Sequence, residues 1–387
     1  MENTPRLYET LVYVLSQHAK WVDQRHLKTL AWMMVGLLQA GGINLTAWAP
    51  YVGSRARYAP STVRRFRRWL DNDKIDVGAL YGPCIEYALA EWGAPALYVA
   101  LDTSMLWNTY CLIRLAVIYR GRAVPLVWCV LQHGSAQVAF DVYRELLERA
   151  SLLLPRRARV VFLADRGFAD TALMAYLQGL GWHWRIRIKR SFWLYRRGRR
   201  RCKVARLSVA RGHACFWPQV CLTEKHYGPV HLAVARPQAG NDIWYVLSDE
   251  PTAVTTLEEY GLRFDIEENF LDDKSNGFQL ESSLIRAAPA LTRLCFVLAM
   301  TTLYLVAQGV EVVKQGKRRW VDPHWFRGQS YLKIGWNWVK LALSRGMDLI
   351  TTMHWSSDCD PEPAMASKRQ YQHYCQTRFA FEFHDAA

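Results

Sequence analysis

The sequence predicts an α/β fold in which a mixed β-sheet, packed with helices, follows a helical N-terminal segment. From about residue 95, short apolar runs of strand length alternate with segments of helical periodicity, whereas the preceding residues show helical periodicity alone. The resulting order, strand-strand-strand-helix-strand-helix-strand, implies a sheet that contains both parallel and antiparallel neighbours.

Residues 1–94 are predicted to form a helical domain. The Gly41-Gly42 pair is expected to end one helix, and Ser61 is a plausible N-cap for a later one. Apolar residues recur at helical spacing in three stretches, 8–19, 27–39 and 62–70. The last stretch carries four arginines, Arg64, Arg65, Arg67 and Arg68. Such a helix suits contact with a DNA groove, although a solvated basic helix has the same pattern.

Residues 95–315 are predicted to form the central α/β domain. Its strand-like apolar runs are 97–101, 112–119, 124–131, 160–164 and 184–188, and its first helical segments are 138–153 and 171–180. Gly121 fits a hairpin turn between the second and third runs. Residues 190–245 are predicted to be a β-rich insertion with a basic loop, and helical periodicity returns at 252–274 and 285–313. Residues 316–387 form a basic and aromatic C-terminal segment.

The charge of the chain favours a polyanionic partner. Its 49 Lys and Arg against 34 Asp and Glu give a net charge of +15, which nucleic acid would complement. Nine cysteines without a CxxC pair and an N-terminus without an apolar signal core predict an intracellular protein. The cysteines and histidines at 213–226 match no zinc-site spacing. The apolar stretch 294–310 is expected to be a buried helix rather than a membrane span.

Two aspartates follow buried strands. Asp102 comes directly after the apolar run 97–101, and Asp165 directly after 160–164. A buried acid is costly unless it is paired or binds a cation, and ligand sites gather beyond strand ends, so the two acids are expected to share one site. Each alone could be structural, although Asp170 is better placed than Asp165 to cap the following helix.

A third acid, Glu267, lies in the helical segment 252–274. At 100° per residue, Tyr260, Arg263, Glu267 and Lys274 fall within an arc of roughly 60°. This face combines a carboxylate with groups that bind phosphate. An ordinary salt-bridged surface helix would also place Arg263 beside Glu267.

Carboxylates are the ligands that Mg²⁺ or Mn²⁺ prefers, because these ions favour hard oxygen donors. Two such ions about 4 Å apart can activate an attacking oxygen and stabilise a leaving one in phosphoryl transfer. The chemistry requires positioning and charge neutralisation rather than a protein nucleophile.

The helical segment matches a family signature. Tyr260, Arg263, Glu267 and Lys274 have the Tyr-x2-Arg-x3-Glu-x6-Lys spacing of DDE-type insertion-sequence transposases, and the chain resembles the branch that includes the insertion sequence four family. Leu101-Asp102-Thr103 and Ala164-Asp165-Arg166-Gly167-Phe168 are similar to the first and second acidic motifs of that family. The resemblance covers roughly residues 95–310.

The resemblance implies a ribonuclease H-like catalytic core with Asp102, Asp165 and Glu267 as ligands of two divalent ions. It implies that Tyr260, Arg263 and Lys274 hold DNA phosphates, with Arg166 as a further candidate. Members cut and paste DNA, often through a hairpinned transposon end with a flipped base. Trp244 occupies the place of the stacking tryptophan, although a tryptophan packed in a strand is an equal alternative. The implied partners are the terminal inverted repeats, target DNA and a second protomer.

Two other functions share these features. A DNA-binding protein that keeps the fold without the chemistry is one, and a structure-selective nuclease that cuts without strand transfer is the other. Intact acids at all three positions favour catalysis over the first alternative. Strand transfer, if detected, would distinguish transposition from the second.

Overall fold

The computed structural model describes residues 3–53, 58–238, 242–323, 329–361 and 379–383. Within these residues the helices are α1 (Asn3–His18), α2 (Gln24–Ala40), α3 (Leu45–Trp48), α4 (Ala59–Leu70), α5 (Val77–Leu89), α6 (Phe140–Leu153), α7 (Thr171–Gly179), α8 (Val254–Gly261), α9 (Phe264–Leu271), α10 (Ala288–Lys314) and α11 (Tyr331–Ser344). The strands are β1 (Leu97–Leu106), β2 (Tyr110–Tyr119), β3 (Arg122–Gln132), β4 (Val160–Ala164), β5 (His183–Arg187), β6 (Trp193–Tyr195), β7 (Cys202–Lys203), β8 (His213–Leu222), β9 (Tyr227–Ala235), β10 (Trp244–Ser248) and β11 (Ala380–Phe383).

All the described strands join one mixed sheet in the order β3-β2-β1-β4-β5-β10-β9-β8-β6-β7, with β11 paired to β8. The first three strands are antiparallel neighbours, whereas β1, β4 and β5 run parallel. The predicted α/β class and mixed sheet are therefore confirmed. Gly121 lies in the predicted turn between β2 and β3 at φ 73°, a left-handed conformation that glycine adopts without strain.

The predicted β-rich insertion does not form a sheet of its own. Strand β10 pairs with β5 and with β9, so the strands of residues 190–245 extend the central sheet beyond β5. A small apolar cluster joins these strands to α8: Phe216 and Val246 of the strands and Phe379, which precedes β11, pack with Leu257 and Tyr260 of α8. The insertion is thereby attached to the helical segment that carries the signature residues.

The predicted N-terminus of α4 was wrong by three residues. The helix begins at Ala59 with Pro60 in its first turn, and Ser61 lies inside it rather than at the N-cap. Proline suits this position, because its fixed φ is helical and its missing N–H would have had no partner there.

The predicted single helix over 252–274 is interrupted. Helix α8 ends at Gly261, and i→i+3 hydrogen bonds carry the chain through Leu262 and Arg263 into α9. A π-helical turn, Asp272–Asn276, follows α9. The signature residues therefore occupy three consecutive helical pieces, which changes the angles between their side chains relative to an ideal helix.

One continuous hydrophobic core connects the N-terminal helices, the central sheet and the helices α10 and α11. Helix α10 has the length and composition of a membrane span, but 89% of its apolar window is buried inside the protein. The prediction of a buried helix at 294–310 is confirmed. Helix α11 packs along α10, where Gly309 and Gly335 lie so close to the opposite backbone that an added Cβ would overlap it.

Two arginines of the sheet bind α9 and the turn after it. Arg114 of β2 is fully buried, and its Nη1 donates to Asn269 Oδ1 and Asp273 Oδ2, each at 2.6 Å. Arg122 of β3 contacts Glu268 at 2.9 Å in the same way. Because Asp102 pairs with Arg114 in the register of β1 and β2, these contacts place α9 over the part of the sheet that carries Asp102.

Replacing Arg114 with Met should lower the free energy of unfolding by about 3–5 kcal/mol, because Asp273 is left buried without its cation. The double variant Arg114→Met/Asp273→Leu should recover most of that loss, since replacing a whole buried pair is often neutral. Denaturant unfolding of the two variants measures both effects. Arg25→Met is the matched control, because its pair with Asp23 is solvent-exposed and should not matter. Equal stability of the single and double variants would contradict the prediction.

Candidate active site

Asp102 and Asp165 lie side by side at neighbouring strands. Leu101 of β1 pairs with Ala164 of β4 in parallel register, and each aspartate is the next residue of its strand. Paired parallel strands are about 4.8 Å apart, so the two backbones are adjacent. Strand β1 continues to Leu106, whereas the chain turns away after Asp165 into a short 3-10 turn, Arg166–Phe168.

Arg263 joins Asp102 to Glu267. Its Nη1 lies 3.4 Å from Asp102 Oδ2, and its Nη2 lies 2.7 Å from Glu267 Oε1. The guanidinium is only 4% exposed, whereas the two carboxylates are 19% and 32% exposed. A single planar cation therefore holds an acid of the sheet and an acid of α9 together, in a partly open position.

The three acids influence one another. Burial is the main cause that raises the pKa of the Asp102 carboxyl to about 6. Arg263 and the backbone N–H of Thr103 act against this rise, whereas Glu267 and Asp165 add to it. The same acids, with Tyr260, raise the pKa of Arg263 although burial opposes them. Asp165 and Glu267 therefore both act on the same buried pair, Asp102 and Arg263.

The donor set fits a hard divalent cation. All three side chains offer carboxylate oxygens, and Asp165 Oδ1 is buried without a hydrogen-bond partner among the described residues. The three ligand atoms do not, however, all come within 4.8 Å of one another. The Arg263 guanidinium occupies the space between Asp102 and Glu267 and contacts both.

A second group has the closer spacing. One ligand atom each from His183, Asp249 and Glu250 lies within 4.8 Å of the others. Here the carboxylates already accept from arginines: Glu250 contacts Arg159 and Arg185, each at 2.6 Å. These contacts are typical of an ion-pair network that fastens β5 to β10, and they leave less charge for a metal ion.

Tyr260 and Trp244 are covered by protein. The Tyr260 side chain is fully buried, and burial raises the pKa of its hydroxyl. The Trp244 ring is 5% exposed and lies 5.6 Å from the Tyr260 ring and 5.9 Å from the Phe264 ring. The structure presents neither side chain to solvent, so stacking of Trp244 on a base would require the ring to leave this cluster.

Lys274 and Arg166 flank the acids differently. Lys274 lies in the π-helical turn, half-buried, and its Nζ donates to the carbonyl oxygen of Met105 on β1. Burial lowers the pKa of Lys274, and Glu281 partly opposes that effect. Arg166 directly follows Asp165 and is exposed, so its guanidinium is available at the edge where the acids lie.

The arginines of α4 belong to the N-terminal helices rather than to this cluster. Arg64 and Arg68 are exposed, as the predicted DNA contact requires. Arg65 is half-buried, with its guanidinium 5.5 Å from the Phe66 ring, and burial lowers its pKa. Helix α4 packs on α2 and α10, so its exposed face forms a surface separate from the acids.

The sequence reasoning missed the partners of α9. Arg114 lies inside the predicted run 112–119, whereas Arg122 lies two residues before the predicted run 124–131, and no partner on the helix was predicted for either. The signal that could have found them is an arginine inside an otherwise apolar strand, because such a charge needs a buried partner.

Residues 108–304 match the family described as the transposase DDE domain, a range that includes Asp165 and Glu267 and begins after Asp102. A search of curated proteins finds no match. Among solved structures, the chain is similar to the piggyBac transposase in its synaptic complex with hairpin DNA. The identity is 11% and the TM-score 0.47, over 89% of this chain and 78% of that one.

The family match decides the class of the protein. It spans 197 of the 387 residues, which is more than half of the chain. The protein therefore belongs to the family of transposases with a DDE domain.

Proposed function

We propose that this chain is an active DNA transposase whose catalytic acids are Asp102, Asp165 and Glu267. The observation that carries the proposal is the contact of Arg263 with both Asp102 and Glu267, beside the strand that leads to Asp165. Acids that lie far apart in the sequence meet at one edge of the sheet, as a shared catalytic centre requires.

We assign strands β1–β5 to a ribonuclease H-like core. Their spatial order, β3-β2-β1-β4-β5 with three antiparallel and then parallel neighbours, supports the assignment. Strands β6–β10 are then the insertion between the second acid and the glutamate. We keep 1–94 as a helical DNA-binding domain, 95–315 as the catalytic domain and 316–387 as a C-terminal segment; part of the last range lies outside the described residues.

The three carboxylates would hold Mg²⁺ or Mn²⁺, in two positions. When bound, such ions neutralise the charge that develops on a phosphate and polarise its oxygens. The residues of the chain supply the rest: Arg263 positions Asp102 against Glu267, and the backbone N–H of Thr103 orients Asp102 Oδ1 at 2.8 Å.

The reaction begins with attack of water on one strand at the end of the element, which leaves a 3′-hydroxyl. That hydroxyl attacks the opposite strand and forms a hairpin, a second water opens it, and the freed 3′ end attacks target DNA. This order rests on the resemblance to the insertion sequence four family. Two protomers would bring the two ends together, so we expect a homodimer on DNA.

Burial decides which of the expected DNA-binding side chains can contact a phosphate. Arg166, Arg64 and Arg68 are exposed and remain candidates for phosphate binding. Lys274 can bind a phosphate if its Nζ gives up the hydrogen bond to the carbonyl oxygen of Met105. Tyr260 and Arg263 are buried, so we assign them to positioning Glu267.

Asp102→Asn, Asp165→Asn and Glu267→Gln should each abolish cleavage and leave DNA binding nearly intact, because each removes a charged oxygen ligand without changing the shape of the site. The measurement is cleavage and joining of a duplex that carries the terminal repeat, with Mg²⁺ present. Glu258→Gln, an exposed acid on α8, is the matched control and should cut normally.

Each outcome discriminates between functions. A variant that cuts at the normal rate would remove that residue from the catalytic centre. Binding without cleavage by the unaltered chain would indicate a silent DNA-binding protein, and cleavage without joined products would indicate a nuclease.

Arg263→Lys should lower the cleavage rate by about 100-fold, because a lysine keeps the charge but cannot bridge two carboxylates, and small misplacements are costly. If Arg263 only positions acids, the slope of log K against log salt for DNA binding should not change. A slope reduced by about one unit would mean that Arg263 contacts a phosphate, contrary to this assignment.

Mn²⁺ should stabilise the protein against thermal unfolding, by about 2.7 kcal/mol at a hundredfold excess over its Kd. The melting temperature with and without Mn²⁺ is the measurement. Asp165→Asn should lose most of this response, and Asp249→Asn should retain it. The reverse result would place the ion at the group formed by His183, Asp249 and Glu250 instead.

A further inference from the structure

The positive charge of the chain is concentrated in one segment. Residues 171–223 contain twelve Lys and Arg and no Asp or Glu, a net charge of +12 within 53 residues. The whole chain has a net charge of +15, so the other 334 residues together contribute +3. The excess that suggests a polyanionic partner therefore resides almost entirely in this segment.

The structure exposes most of this charge on one hairpin. We define the basic hairpin as residues 189–206, which contain strands β6 and β7 and the loop 196–201 between them. Eight of its nine basic side chains are exposed and one is half-buried. The exposed residues are Lys189, Arg190, Arg197, Arg199, Arg200, Arg201, Lys203 and Arg206.

The ring of Trp193 contacts two of the basic side chains of the hairpin. Trp193 of β6 pairs with Lys203 of β7, and its ring lies 4.7 Å from the Arg201 guanidinium and 5.5 Å from the Lys203 ammonium. Arg201 also contacts Glu224 at 3.7 Å, but both side chains are more than half exposed, so water screens this pair. Cation–π contacts restrain the Arg201 and Lys203 side chains on the hairpin without neutralising their charges.

The hairpin begins near the catalytic acids. Ala164 pairs with Ile186, so Arg187 is level with Asp165 on the neighbouring strand, about 4.8 Å away. Three residues span at most about 11 Å, so Arg190 lies within about 16 Å of Asp165 along the backbone. Strands β6 and β7 lie farther out, five and six places from β4 in the sheet order, which is about 24–29 Å at about 4.8 Å per place. The hairpin therefore lies within about one helical turn of B-form DNA, about 34–36 Å, of Asp165.

We propose that the basic hairpin binds the phosphates of duplex DNA that continues from the catalytic site. The inference deepens the proposed function. A two-stranded ribbon fits a DNA groove, and arginine forms paired contacts with phosphate oxygens. The segment 189–206 contains no Asn, Gln, Asp or Glu, which are the side chains that pair with adenine or cytosine edges. Arginine and lysine can pair with guanine edges, so the hairpin can read guanine at most, and its main contribution is affinity and register along the backbone.

The test uses the full chain with Arg197, Arg199 and Arg200 all changed to Gln. The control changes Arg156, Arg157 and Arg345 to Gln, which removes the same charge from exposed positions outside the hairpin. Binding to a mixed-sequence duplex of about four helical turns is measured over a range of salt, without divalent ions. Thermal unfolding checks that both variants are folded.

We expect the hairpin variant to lose affinity by at least tenfold, and its salt slope to fall by about 2–3, because each phosphate contact contributes about 0.9. The control should change the slope by less than one. Equal slopes for the two variants would overturn the proposal, as would a change seen only with duplex RNA. The binding assay does not depend on cleavage. A chain that binds DNA through the hairpin but fails to cut it would refute the proposed function and still support the proposal for the hairpin.

Discussion

The position of Glu267 depends on buried guanidinium groups. Arg114 and Arg122 hold α9 on the sheet, and Arg263 connects Glu267 to Asp102. An unpaired charge in these positions would cost several kcal/mol, so the helix can dock only where its acids meet these cations. Apolar contact alone would tolerate small rotations of α9, whereas several directed ion pairs restrict them. The geometry of the candidate site is thus a consequence of charge pairing in the core.

Arg263 connects two acids of the candidate site but is itself buried. Arg263 brings Asp102 and Glu267 into one site, yet the ligand atoms of Asp102, Asp165 and Glu267 do not all lie within 4.8 Å of one another. Because Arg263 is buried under the rings of Tyr260 and Phe264, it cannot also present itself to a phosphate in this arrangement. The signature tyrosine and arginine face the interior here, and the glutamate that they position faces the opening.

Periodicity located the first five strands, although their ends differ by up to five residues: β1 continues to Leu106, whereas the predicted run ends at 101. The run at 160–164 is β4 without any shift, and Asp165, which follows β4, lies beside Asp102, which lies within β1. Local patterns failed where long-range contacts decide. The burial of Trp244 depends on packing between the insertion and α8, and the role of Arg114 depends on a helix more than 150 residues later. No local pattern records such contacts, so sequence periodicity could not predict them.

The basic side chains proposed to bind DNA lie apart from the acids proposed to cut it. A dense group of exposed arginines beside Asp102, Asp165 and Glu267 would pair with those acids and compete with any cation for their oxygens. In this chain one buried arginine serves the acids, and most of the net charge lies in the segment 171–223, largely on the basic hairpin. Because the insertion extends the same sheet from β5, the sheet connects that charge to β4, the strand that leads to Asp165. The sheet can therefore fix the distance between a duplex held by its phosphates and the acids that would cut it.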